Sequence, residues 1–348
     1  MPLGIRDSVG SQRRMAPNSK FAGPTKSAVR FKAVRRVARR VALTVLVLVL
    51  STSLIEHYLE GRAFRRLTAS ETFVPVRGSQ IRYRTLGTTQ TGSTVVFING
   101  LVGSLEQWDL VQRDVADFAP TVTYDRGGFG FSQGSSAHSA RDQADELSAV
   151  LTALNVDQPV VLVGFSYSAS IARIFVSRHH EQVAGVVLYA PYLAEYEGTG
   201  LFEPGPLRRY ARLLTNETVT TFLGVRRAIA TVRQWRSAGD KSPLDERVDE
   251  ILLRFPSWWA LDHEWASTSE TRKDVLEASP LGDTPLIAIA GSPRDGGKYR
   301  SALERLGSQS RHASLRALPP TDHGELLTDE KARGALVEAI GDVGAWTR

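Results

Sequence analysis

Cysteine is absent from all 348 residues, which excludes disulfide staples, thiolate nucleophiles and Cys-ligated metals. It leaves the redox compartment undetermined. Acidic residues are nearly missing from the first forty positions. That stretch holds 11 of the 43 Lys and Arg but only Asp7 of the 37 acids, a net +10. Residues 41–348 carry 32 basic and 36 acidic side chains, a net −4, so the basic character belongs to an arm. A nucleic-acid-binding domain spreads its basic residues over a folded face, and this distribution argues against one. Apolar residues are not scarce. At 42% they suffice for a sizeable core, and the length fits one large or two modest domains.

The arm mixes Pro, Gly, Ser and basic residues without apolar periodicity over residues 1–30, so it is expected to lack structure. It leads into the run Val41–Leu50, uncharged as far as Ile55, with Tyr58 and Leu59 beyond. As a helix, Val41–Leu59 would span about 28 Å, close to a bilayer's hydrocarbon thickness. Arg39 and Arg40 can snorkel at one end, and Glu56, His57 and Tyr58 suit the far interface. A cleaved signal peptide would have a short basic region and a small-x-small site after the run, and neither is present. A buried core helix would not be apolar on all sides. The expectation is an uncleaved signal anchor: a transmembrane helix over 41–59, residues 1–40 in the cytoplasm, and the remainder outside.

Residues 60–72 read as a linker. Phe73–Val76 and Gln80–Arg84 alternate about Arg77-Gly78-Ser79, the pattern of an antiparallel hairpin. The rhythm then changes to short apolar or β-rich runs: Thr94–Ile98, Thr121–Tyr124, Val160–Val163, Val186–Tyr189 and Leu286–Ala290. Helical patterns separate them, notably Ala140–Leu154 and Ala169–His179. This predicts an α/β fold with a mostly parallel sheet covered on both faces over residues 73–348. Residues 193–281 interrupt the rhythm as a helical cap insertion, with helical stretches at Leu207–Leu214, Val219–Ser237 and Leu244–Phe255. Its Trp235, Trp258, Trp259 and Trp265 are either core or the lining of a lid.

Gly164-Phe165-Ser166-Tyr167-Ser168 follows Val160–Val163 directly and opens a helical stretch. Strand, Gly-x-Ser-x-small, helix is a nucleophile elbow, a turn so tight that the residues two before and two after the Ser must be small. It lifts the hydroxyl clear of the sheet and leaves the next backbone N–H at a helix N-terminus, where negative charge is stabilised. Asn99-Gly100-Leu101-Val102-Gly103-Ser104 leaves another strand end, at the level where oxyanion donors belong. A second glycine-rich turn, Tyr124–Ser132, reads as scaffold, with Asp125 and Arg126 as its polar groups. Of the seven His, His323 lies in a loop past the strand-like Ser314–Leu318, from which it can lean over Ser166. Asp295 follows the strand Leu286–Ala290 and stands between Ser and His in chain order, as an orienting acid should. Asp283 lies at the wrong end of that strand, and Asp322 is too near His323.

These motifs resemble those of the α/β-hydrolase fold family over about Val74–Trp346. Asn99–Ser104 resembles its His-Gly-x-x-Gly-Ser oxyanion loop, Tyr124–Ser132 its Asp-x-Arg-Gly-x-Gly-x-Ser turn, and Gly164–Ser168 its elbow. The resemblance implies Ser166 as nucleophile, Asp295 as acid, His323 as base, and the Leu101 and Tyr167 N–H groups as oxyanion hole. Two positions depart from the pattern: Asn99 replaces the usual His, and Ser168 replaces the second elbow Gly. Ser at the nucleophile position disfavours the dehalogenase and epoxide-hydrolase branches.

The implied activity is hydrolysis of a small-molecule or lipid-like ester, less readily an amide, through an acyl-enzyme. No metal or organic cofactor is implied. The alternatives are a non-catalytic binding protein of the same fold, and a cofactor-free haloperoxidase or C–C hydrolase using the same triad.

Overall fold

The computed structural model describes residues 26–87, 92–134, 138–196, 216–236, 242–291, 297–318 and 321–346. The chain divides into two units, Met1–Ser51 and Thr52–Arg348. In the first, the chain is helical from Lys26 onward, and Val41, Leu43 and Val45–Leu50 are exposed. This helix, α1, covers Lys26–Leu67, and its part from Val34 is long and apolar enough to cross a membrane. It begins inside the arm expected to lack structure and continues through most of the expected linker. The continuation has a local cause. Ala63, Phe64 and Leu67 recur at helical spacing, Ala63 and Leu67 are buried, and Phe64 packs beside Leu67.

The second unit is built on an eight-stranded sheet in the order β1-β2-β4-β3-β5-β6-β7-β8. β1 (Thr72–Val76) and β2 (Ser79–Leu86) form the expected hairpin. Its turn residues, Arg77 and Gly78, both take positive φ (49° and 83°), the geometry whose twist suits a two-residue hairpin loop. β2 also runs antiparallel to β4 (Thr121–Tyr124). The other pairings are parallel and join β3 (Val95–Ile98), β4, β5 (Val160–Phe165), β6 (Val183–Tyr189), β7 (Leu286–Ala290) and β8 (Ala313–Ala317).

Alternation along these strands sorts the core into two faces. Val96, Leu162, Val186 and Leu286 pair across the sheet in one row. They pack against α3 (Ala140–Ala153), α4 (Ser168–Arg178) and α10 (Lys298–Gly307). Their neighbours Val95, Val161, Val187 and Ile287 point the other way, against α2 (Asp109–Ala116) and α11 (Glu330–Trp346). Each such fully buried aliphatic side chain stabilises the fold by about 1.5–3 kcal/mol. The fully apolar strands are therefore those buried on both faces.

The cap follows β6. Its described helices are α5 (residues 216–222), α6 (Val225–Arg236), α7 (Pro243–Leu252), α8 (Phe255–Ala266) and α9 (Thr268–Glu277). Leu207–Leu214 lies outside the described residues. The single helix expected over Val219–Ser237 is divided at Gly224, whose φ is +73° and whose absent side chain lets it approach Glu56. The helix expected over Leu244–Phe255 ends at Leu252, and α8 restarts with Pro256 in its first turn, where no backbone N–H is missed. Ser242 caps α7 reciprocally with Asp245.

Candidate active site

The turn after β5 holds Ser166 at φ +56°, a left-handed conformation uncommon for a side-chain-bearing residue and costly outside special sites. Its N–H donates to Tyr189 O (3.0 Å) and its carbonyl accepts from Tyr192 N–H (2.9 Å), which fixes the strained backbone. A Cβ at Gly164 would lie 3.1 Å from Ser168 O, so the small residue there is a steric requirement. Ser168 is tolerated because its hydroxyl is used. It accepts from Phe165 N–H (2.7 Å) and donates to Ile98 O (2.7 Å), tying the elbow to the end of β3.

Asn99 is fully buried and shapes the loop after β3. Its amide donates to Tyr124 O (2.8 Å), and its Oδ1 accepts from Trp108 Nε1 (2.7 Å). At Gly100 a Cβ would meet Phe165 O at 3.2 Å and Ser166 Cβ at 3.6 Å, so this loop passes directly against the elbow. Tyr167 stands at the head of α4. Among the described residues, no turn or cap bond uses the Leu101 or Tyr167 N–H.

His323 lies in the turn after β8, its ring stacked on Phe165 (centroids 4.9 Å apart, planes at 16°). Partial burial pushes the imidazole pKa below its ordinary value. Ser166, His323 and Leu101 line one cavity of about 760 Å³. Among the described residues no hydrogen bond joins Ser166 to His323; in free hydrolases that bond is often long and tightens with substrate. Asp295 lies outside the described residues, five positions past the end of β7. Asp283 forms an exposed pair with Arg311 (2.6 Å).

Of the two readings of the cap tryptophans, core and lid lining, the described residues favour core for Trp258 and Trp265. The roof of the cavity comes from α7 through Leu244, Asp245, Val248, Asp249, Ile251 and Leu252, and no Trp lines it among the described residues. Trp265 is buried, while Trp258 donates its indole N–H to Leu252 O (2.8 Å) and so holds the C-terminus of α7. Sequence reasoning also passed over the reach of Arg126. Fully buried, its guanidinium donates to Gly100 O (2.7 Å) and Gln143 Oε1 (2.7 Å) and pairs with the buried Glu264 of α8. Phe129 lies under the guanidinium at 4.3 Å. One side chain therefore joins the loop after β3, the glycine-rich turn and the cap. Its signal in sequence was only its place in that turn.

Residues 93–241 match the family model of the α/β hydrolase fold. Together with the strand order and the elbow, this shows the α/β-hydrolase fold. Over 106 residues it is 34% identical to YqjL of Bacillus subtilis, covering 30% of this chain and 42% of that protein. It is 25% identical over 247 residues to the chloroplastic protein PHYLLO of Arabidopsis thaliana, 68% of this chain and 12% of that one. The chain thus spans less than half the length of the curated relatives it matches. Three solved structures share the fold. A putative lipase from Acinetobacter baumannii superposes with TM-score 0.61 at 16% identity, covering 82% of this chain and 97% of its own. The haloalkane dehalogenase DbeA variant from Bradyrhizobium elkanii gives 0.58 at 18%, covering 80% and 98%. A membrane phospholipase A gives 0.56 at 18%, covering 89% and 99%. At these identities the likeness is one of fold.

Proposed function

We propose that this protein is a membrane-anchored serine hydrolase that cleaves a lipid-like ester through an acyl-enzyme on Ser166. The observation that carries the reading is the strained Ser166 sharing one cavity with His323 and the glycine-rich loop. In this reading His323 takes the hydroxyl proton as Ser166 Oγ attacks the carbonyl carbon. The N–H groups of Leu101 and Tyr167 stabilise the oxyanion, and the proton passes to the departing alkoxide. Water, activated by the same imidazole, then releases the acid and restores Ser166. Asp295 is proposed to hold the imidazole in its productive tautomer.

The aliphatic side chains of the α7 roof support an acyl chain as the group bound, and lipase and phospholipase relatives of the same fold are consistent with it. The test is a series of p-nitrophenyl esters of increasing chain length, hydrolysed by the full chain in detergent. Turnover should rise from acetate to octanoate, and no turnover of any member would refute the reading. The anchor is proposed to place the hydrolase outside and residues 1–40 in the cytoplasm. The chain should then stay in the membrane fraction after alkaline carbonate washing at close to 38.2 kDa. Release into the supernatant, or trimming near residue 60, would favour a secreted enzyme.

Arg126 gives a further expectation. Arg126→Lys keeps the charge but cannot donate to Gly100 O, Gln143 and Glu264 together. Loss of the Gly100 contact should loosen the oxyanion loop and lower kcat by about tenfold with little change in KM, since the loop's donors act on developing charge. A KM effect alone would limit Arg126 to seating the cap.

A further inference from the structure

We infer that the cap is a membrane-docking surface, and that ester substrate passes from the lipid bilayer to Ser166 along the groove between α6 and α7. The inference rests on the anchoring and ester-hydrolase readings above, but it draws on other residues.

The expected span ends at Leu59, yet its last two turns belong to the folded hydrolase unit, which begins at Thr52. Ser53 and Glu56 are buried there. The Glu56 carboxylate accepts from Arg227 Nε of α6 at 2.9 Å, and a Cβ at Gly224 would lie 3.2 Å from Glu56 Cβ, so the two backbones approach closely. The Phe222 ring of α5 meets His57 edge-on at 5.1 Å. Cap residues therefore touch the stretch where the chain would leave the hydrocarbon. Other side chains of the same turns, Leu54, Ile55, Tyr58 and Leu59, are exposed. A span ending at Leu59 brings α5 and α6 to the bilayer surface with it.

The surface they present suits lipid. Val219, Phe222, Val225, Ile229 and Val232 recur every three or four residues along α5 and α6, and each is 40–51% exposed. Along α6 the spacing of Val225, Ile229 and Val232 forms an apolar stripe, where a helix bathed in water would carry polar residues, and Val219 and Phe222 add exposed apolar surface on α5. Tyr58 and Trp259 are likewise exposed, and amphipathic aromatics favour the headgroup level.

The stripe also leads to the site. A groove of about 500 Å³ lies between α6 and α7, with Val225, Ile229 and Leu252 in its apolar lining and Arg226, Arg233 and Asp249 in its charged lining. Asp249 and Leu252 line the Ser166 cavity as well. An acyl chain lifted from the bilayer would thus meet Val225, Ile229 and Leu252 on its way to the Ser166 cavity.

The absence of native cysteine makes the test direct. Ile229→Cys and Val232→Cys, each labelled with an environment-sensitive fluorophore, would be placed as full chains in phosphatidylcholine nanodiscs at one chain per disc. The control is Gln158→Cys, exposed in the loop before β5 at the opposite end of the strands from the cap. Doxyl-labelled lipid should quench positions 229 and 232 at least threefold more than position 158. Quenching no greater than at 158 overturns the proposal. So does a shift that appears only with two chains per disc, which would make the stripe a self-association face.

The second arm uses Val219→Asp with Val232→Asp, exposed positions outside both cavity linings, in liposomes. Turnover of a bilayer-resident long-chain ester should fall at least tenfold, with water-soluble p-nitrophenyl acetate hydrolysed within twofold of wild type. Equal loss on both substrates overturns the entry route. Quenching is read without turnover, so failure of the hydrolase reading would show separately, as an inactive wild type with lipid-quenched labels.

Discussion

Ser166→Ala should abolish covalent labelling by a fluorophosphonate probe and reduce ester turnover by about 10⁴-fold or more. His323→Ala should do nearly the same, because nucleophile and base act as a unit whose joint loss scarcely exceeds either single loss. Neither change should disturb the fold. The Ser166 backbone is held by Tyr189 and Tyr192 main-chain groups, and the His323 ring rests on the surface of Phe165. Turnover within about tenfold of wild type in either variant would refute the assignment. A pH profile adds an independent sign. The base must be neutral to accept the hydroxyl proton, and burial lowers the His323 pKa below 6.5. Burial moves the acid limb of kcat/KM downward and the proposed Asp295 carboxylate moves it up, so Asp295→Asn should shift the limb to lower pH, and no shift would remove Asp295 from the pair.

The parts of this molecule legible in sequence are those whose cause is local. The run Val160–Val163 announced β5, and the small-residue pattern about Ser166 announced a turn whose φ is in fact positive. Asn99 and Ser168, the two departures from the family pattern, are explained by partners from neighbouring strand ends, Tyr124 O and Ile98 O. What was not legible depends on partners far along the chain. Arg227 meets Glu56 across 171 positions, Arg66 meets Glu246 across 180, and Arg126 meets Glu264 across 138. The helical spacing of Ala63, Phe64 and Leu67 accounts for the continuation of α1 to Leu67, but nothing local shows that cap residues such as Ile251 pack against it. The tryptophans of the insertion stand out by size, but among the described residues the roof over Ser166 is made by Leu244, Val248, Ile251 and Leu252 together with Asp245 and Asp249. In α7 the cavity-facing Leu244 and Val248 stand four apart on an otherwise acidic helix. Asp295 remains an expectation from chain order, outside the described residues.

Arg82→Met should be the most destabilising single change in the hydrolase unit. Arg82 is fully buried on β2, and its guanidinium donates to Glu71 (2.7 Å), Glu106 (2.5 Å) and Asp125 (3.0 Å). Arg247 of α7 joins the cluster through Glu71 (2.6 Å) and Glu106 (3.1 Å). Asp125 in turn accepts from Leu105 N–H (2.7 Å) and Phe131 N–H (2.8 Å), so the same ions hold both glycine-rich loops. Burial alone would raise the Glu106 pKa, but the Arg82 charge and hydrogen bonds outweigh it and hold the group at about 2. A carboxylate depressed from 4.5 in this way stabilises the fold above pH 4.5, and that contribution fades as pH falls towards 2. Methionine fills much of the arginine's volume but leaves Glu106 and Asp125 buried without their main counter-charge. Removing one partner from such a cluster costs about 3–5 kcal/mol, a drop in melting midpoint on the order of 10 °C at pH 7. Without Arg82 the carboxyls should protonate more readily, so the gap from wild type should narrow as pH is lowered from 7 to about 4. Thermal melts of both full chains in the same detergent at the two pH values measure it. A gap that is absent at pH 7, or that widens in acid, would mean Arg247 alone suffices to hold the carboxylates.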